Sequence, residues 1–163
     1  MMFLPSLRAM IETAARAADL PSAIVGGLVM RESNGNPKAF RPEVGWQYFV
    51  GPDGHPCSVT GVRGIFPCPD GMEVLGQLTG WGLCQVQGSV AREYGFAGAF
   101  LSDLWEPERN LHYGCRHLAK FVKKYGKIEL ALSAYNAGRP IEGNKISYVQ
   151  YVLDRAREYS EEA

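Results

Sequence analysis

From about Arg41 to Gly80 the sequence abandons the apolar periodicity that organises both of its flanks. Glycines and prolines recur at short intervals, Pro52-Asp53-Gly54 and Pro69-Asp70-Gly71 are turn-forming strings, and apolar stretches are as brief as Tyr48-Phe49-Val50. A segment of that texture makes loop with one short hairpin, so the core must come from helices on either side. The chain has 163 residues and 46% hydrophobic content. A chain of that size buries roughly 70% of its unfolded surface, enough for a single domain over 1–163 and too little for two.

Leu4, Leu7, Ile11, Ala14 and Ala18 fall on one face, which predicts an amphipathic helix from about Pro5 to Ala18. Asp19 reads as the N-cap of a second helix, whose apolar run from Ala23 through Met30 ends at Glu32 or just past it. Asn34-Gly35-Asn36-Pro37 stops it, because Asn and Gly tolerate left-handed dihedrals and proline disfavours helix in the residue before it. Helical texture returns at Gly82, runs to Tyr94 and stops at Gly95. A stripe of Leu111, Cys115, Leu118, Ala119 and Val122 leads to Tyr125-Gly126. A shorter helix spans about Ile128 to Ala137, and a last one carries Ile146, Val149, Leu153 and Ala156 inward. The fold class is mainly α with one irregular insertion at about 41–80.

Composition excludes several partners. Seventeen basic and seventeen acidic residues balance, so the chain lacks the basic footprint of a nucleic-acid binder. No window approaches the roughly 20 apolar residues of a membrane span, and no charged stretch leads into an apolar run at Met1-Met2-Phe3-Leu4-Pro5. Cys84 and Cys115 fall in helical patterns and read as core. Cys57 and Cys68, each beside a proline, could pair if the local chain doubles back. His55 with Cys57 and Cys68 is a fragment of a metal site without a fourth ligand at a convincing spacing, so neither metal nor cofactor is expected.

Three strings place polar groups where a helix end or turn would expose them. In Arg31-Glu32-Ser33 a carboxylate ends an otherwise apolar helix, where desolvation would suit a general acid. Trp81-Gly82-Leu83-Cys84-Gln85-Val86 reads as a helix opened by glycine, with Gln85 able to donate to and accept from a sugar. Ala134-Tyr135-Asn136-Ala137-Gly138 sets a phenol and an amide before a left-handed cap. Taken singly, each has an ordinary structural explanation: a frayed terminus, a plain helix, a cap with a buried ring.

In this order the strings resemble the soluble lytic transglycosylase (SLT) catalytic domain, in particular its shorter bacteriophage versions. The resemblance runs through Glu32-Ser33, Asn36-Pro37-x-Ala39, Gly82-Leu83-Cys84-Gln85-Val86, Pro107-x-x-Asn110 with Gly114 and Leu118, Ala134-Tyr135-Asn136-Ala137-Gly138 and Tyr148-Val149. It implies a lysozyme-like (goose-type or SLT-like) helical domain. It also implies that Glu32 is the catalytic acid and base, that Ser33 orients it, and that Gln85, Tyr135 and Asn136 line the substrate cleft. Two departures stand out: Cys84 replaces the more usual methionine, and the stretch around Gln47 to Leu78 is inserted. Insertions of that kind border the cleft in phage relatives, which makes Trp46 and Tyr48, with Phe49, candidates for stacking on sugar rings; a satellite core under a long loop is the competing reading.

The implied reaction is cleavage of the MurNAc-β-1,4-GlcNAc bond of peptidoglycan with formation of 1,6-anhydroMurNAc, without metal or cofactor. A lysozyme-type hydrolysis would need a second carboxylate, with Glu43, Asp53, Asp70 and Glu73 as candidates. A noncatalytic wall-binding or virion component is the third reading. The implied partner is the glycan strand, with a virion or a lysis or secretion partner for delivery, and the expected place of action is the cell wall or periplasm, with a phage-encoded origin.

Overall fold

The computed structural model describes residues 3–64, 66–142 and 147–162. In chain order the elements are α1 (Pro5–Ala17), α2 (Ser22–Ser33), β1 (Phe40–Pro42), β2 (Phe49–Val50), β3 (Pro56–Cys57), α3 (Asp70–Gln77), β4 (Thr79–Trp81), β5 (Val86–Gln87), α4 (Gly88–Glu93), α5 (Pro107–Tyr125), α6 (Ile128–Ala137) and α7 (Tyr148–Glu161). Turns of 3-10 helix cover Val59–Val62 and Leu101–Trp105. The fold is mainly α with two small antiparallel sheets. By internal packing the chain divides into two compact units, Met1–Gly35 with Gly114–Ala163, and Asn36–Tyr113.

The first unit is helical. Ile11, Val25, Leu28, Val29, Leu118, Leu132 and Val152 are fully buried in it, each large side chain stabilising by roughly 1.5–3 kcal/mol. Helix α1 closes in a Schellman motif: Asp19 adopts φ 55°, its N–H donates to Arg16 O, and the N–H of buried Leu20 donates to Ala15 O. Asp19 therefore ends the first helix instead of capping the second, whose N-cap is Pro21. Leu4, expected inward, is exposed because it precedes the first helical turn. Ile146, expected inward, lies outside the described residues; Val149 and Ala156 are buried, joined by Val152 and Tyr159.

Two glycines set the depth at which α2 meets α7. A Cβ on Gly27 would stand 2.3 Å from Val152 O, and one on Gly26 would stand 2.4 Å from the Tyr159 ring. Glycine inside a helix costs about 1 kcal/mol against alanine, and here it lets the two backbones come together.

The second unit holds the segment expected to be irregular, and it is more regular than that. Beside the β2–β3 hairpin, where Phe49 pairs with Cys57 and Val50 with Pro56, the segment contains α3 and most of β1 and β4. β4 is central in a sheet of order β1-β4-β5. Gly71 and Gly76 mask α3 in the sequence. At Gly76 a Cβ would stand 2.9 Å from Leu101 Cδ1 and 3.1 Å from Leu101 Cβ, so a larger residue would have to displace that leucine. The helix expected from Gly82 is also corrected. Residues 82–85 form the turn between β4 and β5, and helix begins only at Gly88. Cys84 is core, but in that turn.

Candidate active site

Glu32 stands one residue before the C-terminus of α2, whose stop works as the sequence suggests: Asn34 and Gly35 take φ 52° and 75°. The carboxyl group is half-buried, and the Tyr148 hydroxyl at the first turn of α7 donates a hydrogen bond to Glu32 Oε1. Tyr148 is itself 3% exposed, so a locked ring presents the donor. Arg31 lies over the Tyr148 ring, its guanidinium carbon 5.2 Å from the centroid. Ser33 Oγ donates back to Val29 O at 3.1 Å, a bond internal to the helix.

Tyr135 and Asn136 occupy the last turn of α6 in the same unit, ahead of Gly138 at φ 73°. Tyr135 is half-buried with its ring 5.1 Å from the His117 imidazole, edge to face, and Asn136 is exposed. The first unit thus carries Glu32, Ser33, Tyr135 and Asn136 and adds Tyr148. The sequence named Tyr148 only as the end of a motif. Its signal was a tyrosine at the start of a helix otherwise supplying Val149, Val152 and Ala156 to the core.

Gln85, Trp46 and Tyr48 belong to the second unit. Gln85 adopts φ 48°, a left-handed conformation that a non-glycine residue holds only where its surroundings enforce it. Buried Asn110 enforces it: its Oδ1 accepts from Cys84 N at 2.8 Å, and its Nδ2 donates to Trp81 O at 2.7 Å and Leu104 O at 2.9 Å. Gly82, at φ 66°, is obligatory because a Cβ would stand 2.6 Å from Asn110 Nδ2. The Pro107-x-x-Asn110 string is therefore the clamp on the Gly82–Gln85 turn. Gln85 Nε2 donates to Gly82 O at 3.0 Å, so its amide is engaged within its own hairpin. Asn110→Ala should lower unfolding free energy by about 2–3 kcal/mol in urea titrations, because it orphans a buried N–H and two carbonyls.

Trp46 and Tyr48 brace the loop against α4. Trp46 Nε1 donates to Tyr48 O at 2.7 Å and to Ser89 Oγ at 3.1 Å, and the Tyr48 hydroxyl donates to Glu93 Oε2 at 3.1 Å. The rings meet edge to face at 6.5 Å. Both rings are half-buried and tied to α4 through these bonds.

The four carboxylates that hydrolysis would call on are engaged within the same unit. Glu43 pairs with Arg41 at 2.8 Å, Asp53 accepts from His55 N and Asp70 from Gly64 N. Glu73 is 1% exposed and grips Arg92 through two bonds of 2.8 and 2.9 Å, which seals it from water and sugar alike. Gln77 completes the cluster, donating to Glu73 Oε1 and Val50 O while accepting from Val50 N.

All four cysteines are free thiols. Burial pushes the Cys115 thiol up to about 12 and raises Cys57 and Cys68, with Asp53 adding to the first and Glu73 to the second. None of these three is poised as a thiolate nucleophile. Among the described residues no group of three His, Cys, Asp or Glu could hold a metal ion, and no helix is long and apolar enough to cross a membrane.

The sequence profile of the family described as Transglycosylase SLT domain matches residues 9–157. No curated protein matches the chain.

Proposed function

Because the chain belongs to the Transglycosylase SLT domain family, a family of peptidoglycan-cleaving transglycosylases, we propose that it cuts the MurNAc-β-1,4-GlcNAc bond with Glu32 as its single acid and base and leaves a 1,6-anhydroMurNAc end. The observation that carries this reading is the Tyr148–Glu32 hydrogen bond. A carboxyl group at a helix end is ordinary; one held by a phenol locked in the core is oriented.

With Oε1 accepting from the phenol, the deliverable proton belongs on Oε2. Glu32 protonates the bridging oxygen, and the substrate's own N-acetyl group stabilises the positive charge developing on the ring, as in the substrate-assisted exceptions to two-carboxylate catalysis. Glu32, now ionised, takes the proton from the muramoyl 6-hydroxyl as that oxygen closes on the anomeric carbon. Atoms balance without water. Tyr148 holds the same carboxyl group through both steps, and its hydrogen bond is stronger to the ionised form, which favours the proton leaving at the first step. Tyr135, Asn136 and Gln85 contact the substrate in this reading, and Trp46 and Tyr48 shape the loop.

Mass spectrometry of the released muropeptides tests the reaction. Anhydro ends are expected; reducing muramic acid as the main product would make the enzyme a hydrolase. Tyr148→Phe should lower kcat roughly ten- to a hundredfold, since a hydrogen bond to a charged group contributes about 1.5–3 kcal/mol, and should leave KM nearly unchanged. A change in KM alone would remove Tyr148 from the chemistry.

A further inference from the structure

We propose that Arg31 is a specificity residue: its guanidinium, carried on the faces of Tyr148 and Tyr151, receives carboxylates of the peptide stems that branch from the glycan next to the bond being cut. The inference rests on the reading of Glu32 as the acid.

Arg31 directly precedes Glu32 on α2 and is exposed. Its guanidinium carbon lies 5.2 Å from the Tyr148 ring centroid and 5.6 Å from that of Tyr151. It is thus one ring away from the carboxyl group that Tyr148 holds. Arg8, Arg41, Arg92, Arg109, Arg155 and Arg157 each have a carboxylate partner. Arg31 has none among the described residues, and neither have Arg16, Arg63 and Arg139; what sets Arg31 apart is the pair of tyrosine rings beside its guanidinium.

That mode of support has a chemical consequence. Neither ring offers the lone pairs that a carboxylate would, so the in-plane N–H donors of the guanidinium keep their capacity for a planar acceptor, which a carboxylate meets through two parallel bonds. Tyr151 is 38% exposed, so the strip is open to a ligand. Arg155 lies over the same ring at 5.2 Å, but Glu158 pairs with it. The chain has no net charge, so attraction for an anionic polymer must come from such local cations and act over about a Debye length.

The experiment compares Arg31→Gln and Arg31→Lys with wild type on glycan chains carrying native stems and on the same chains after carbodiimide amidation of their carboxylates. On native chains Arg31→Gln should raise KM roughly tenfold with kcat little changed, the loss expected of one charge-assisted bond. Amidation should raise the wild-type KM by a similar factor and leave that of Arg31→Gln where it was. Arg31→Lys, keeping charge but not the fork, should recover part of the loss. Equal losses on native and amidated chains, or a fall in kcat, would overturn the proposal and make Arg31 a brace for Tyr148; an unchanged KM would overturn it outright. Full turnover in Glu32→Gln would refute the catalytic reading separately, because the charge dependence of KM is read whichever carboxyl group does the chemistry.

Discussion

Glu32→Gln is expected to fold with an unchanged thermal midpoint and to lose at least about a hundredfold in turnover, because general acid–base catalysis contributes roughly 10²- to 10⁴-fold. The amide keeps the shape of the side chain and can still accept from Tyr148. It cannot release a proton to a glycosidic oxygen or take one from a hydroxyl. One substitution therefore disables both steps of the proposed reaction. Turnover above about a hundredth of wild type, measured as solubilised muropeptide, would reject Glu32 as the acid. A matching fall in the thermal midpoint would instead make the glutamate a helix-end anchor.

Arg92→Met should be the most destabilising single change in the second unit, costing about 3–5 kcal/mol in chemical denaturation. Arg92 is 4% exposed and its guanidinium makes four bonds, two to Glu73, then Phe96 O at 2.7 Å and Gly98 O at 2.8 Å, with the Phe66 and Phe96 rings beside it. Removing it leaves a buried carboxylate uncompensated. The double change Arg92→Met with Glu73→Leu should recover much of that loss, since buried pairs are often replaceable by apolar residues of similar volume. Equal losses in the single and double variants would show that the backbone carbonyls, and not the charge, are what Arg92 serves.

The helical frame was legible because it is written in a period. α5 follows a stripe that means only one thing at 3.6 residues per turn, and the stop after Glu32 is spelled out in Asn34-Gly35. The segment from 41 to 80 was not legible, because its order comes from outside it. Glu73 reads as a solvated carboxylate until Arg92 arrives from α4, and α3 reads as loop until Leu101 closes on Gly76. The Gly82–Gln85 turn reads as helix for the same reason: the residue that dictates it, Asn110, lies 26 positions beyond Cys84. Of the candidate site, Glu32 was marked by an unusual place at the end of an apolar helix. Tyr148 carried no such mark, since its role depends on a pairing 116 residues long that only the packing of α2 on α7 creates.

The glycine seam between those two helices bears on when the enzyme acquires and loses its function. Since Gly27 admits the backbone of Val152 and Gly26 the ring of Tyr159, neither helix can slide along the other without a steric collision, and Glu32 and Tyr148 inherit that registration. The entropy of bringing Glu32 and its phenol donor together is settled once, when the chain folds, and is not demanded again at each turnover. Heating should then leave catalytic competence intact until the helices themselves separate, so that inactivation and melting trace a single curve.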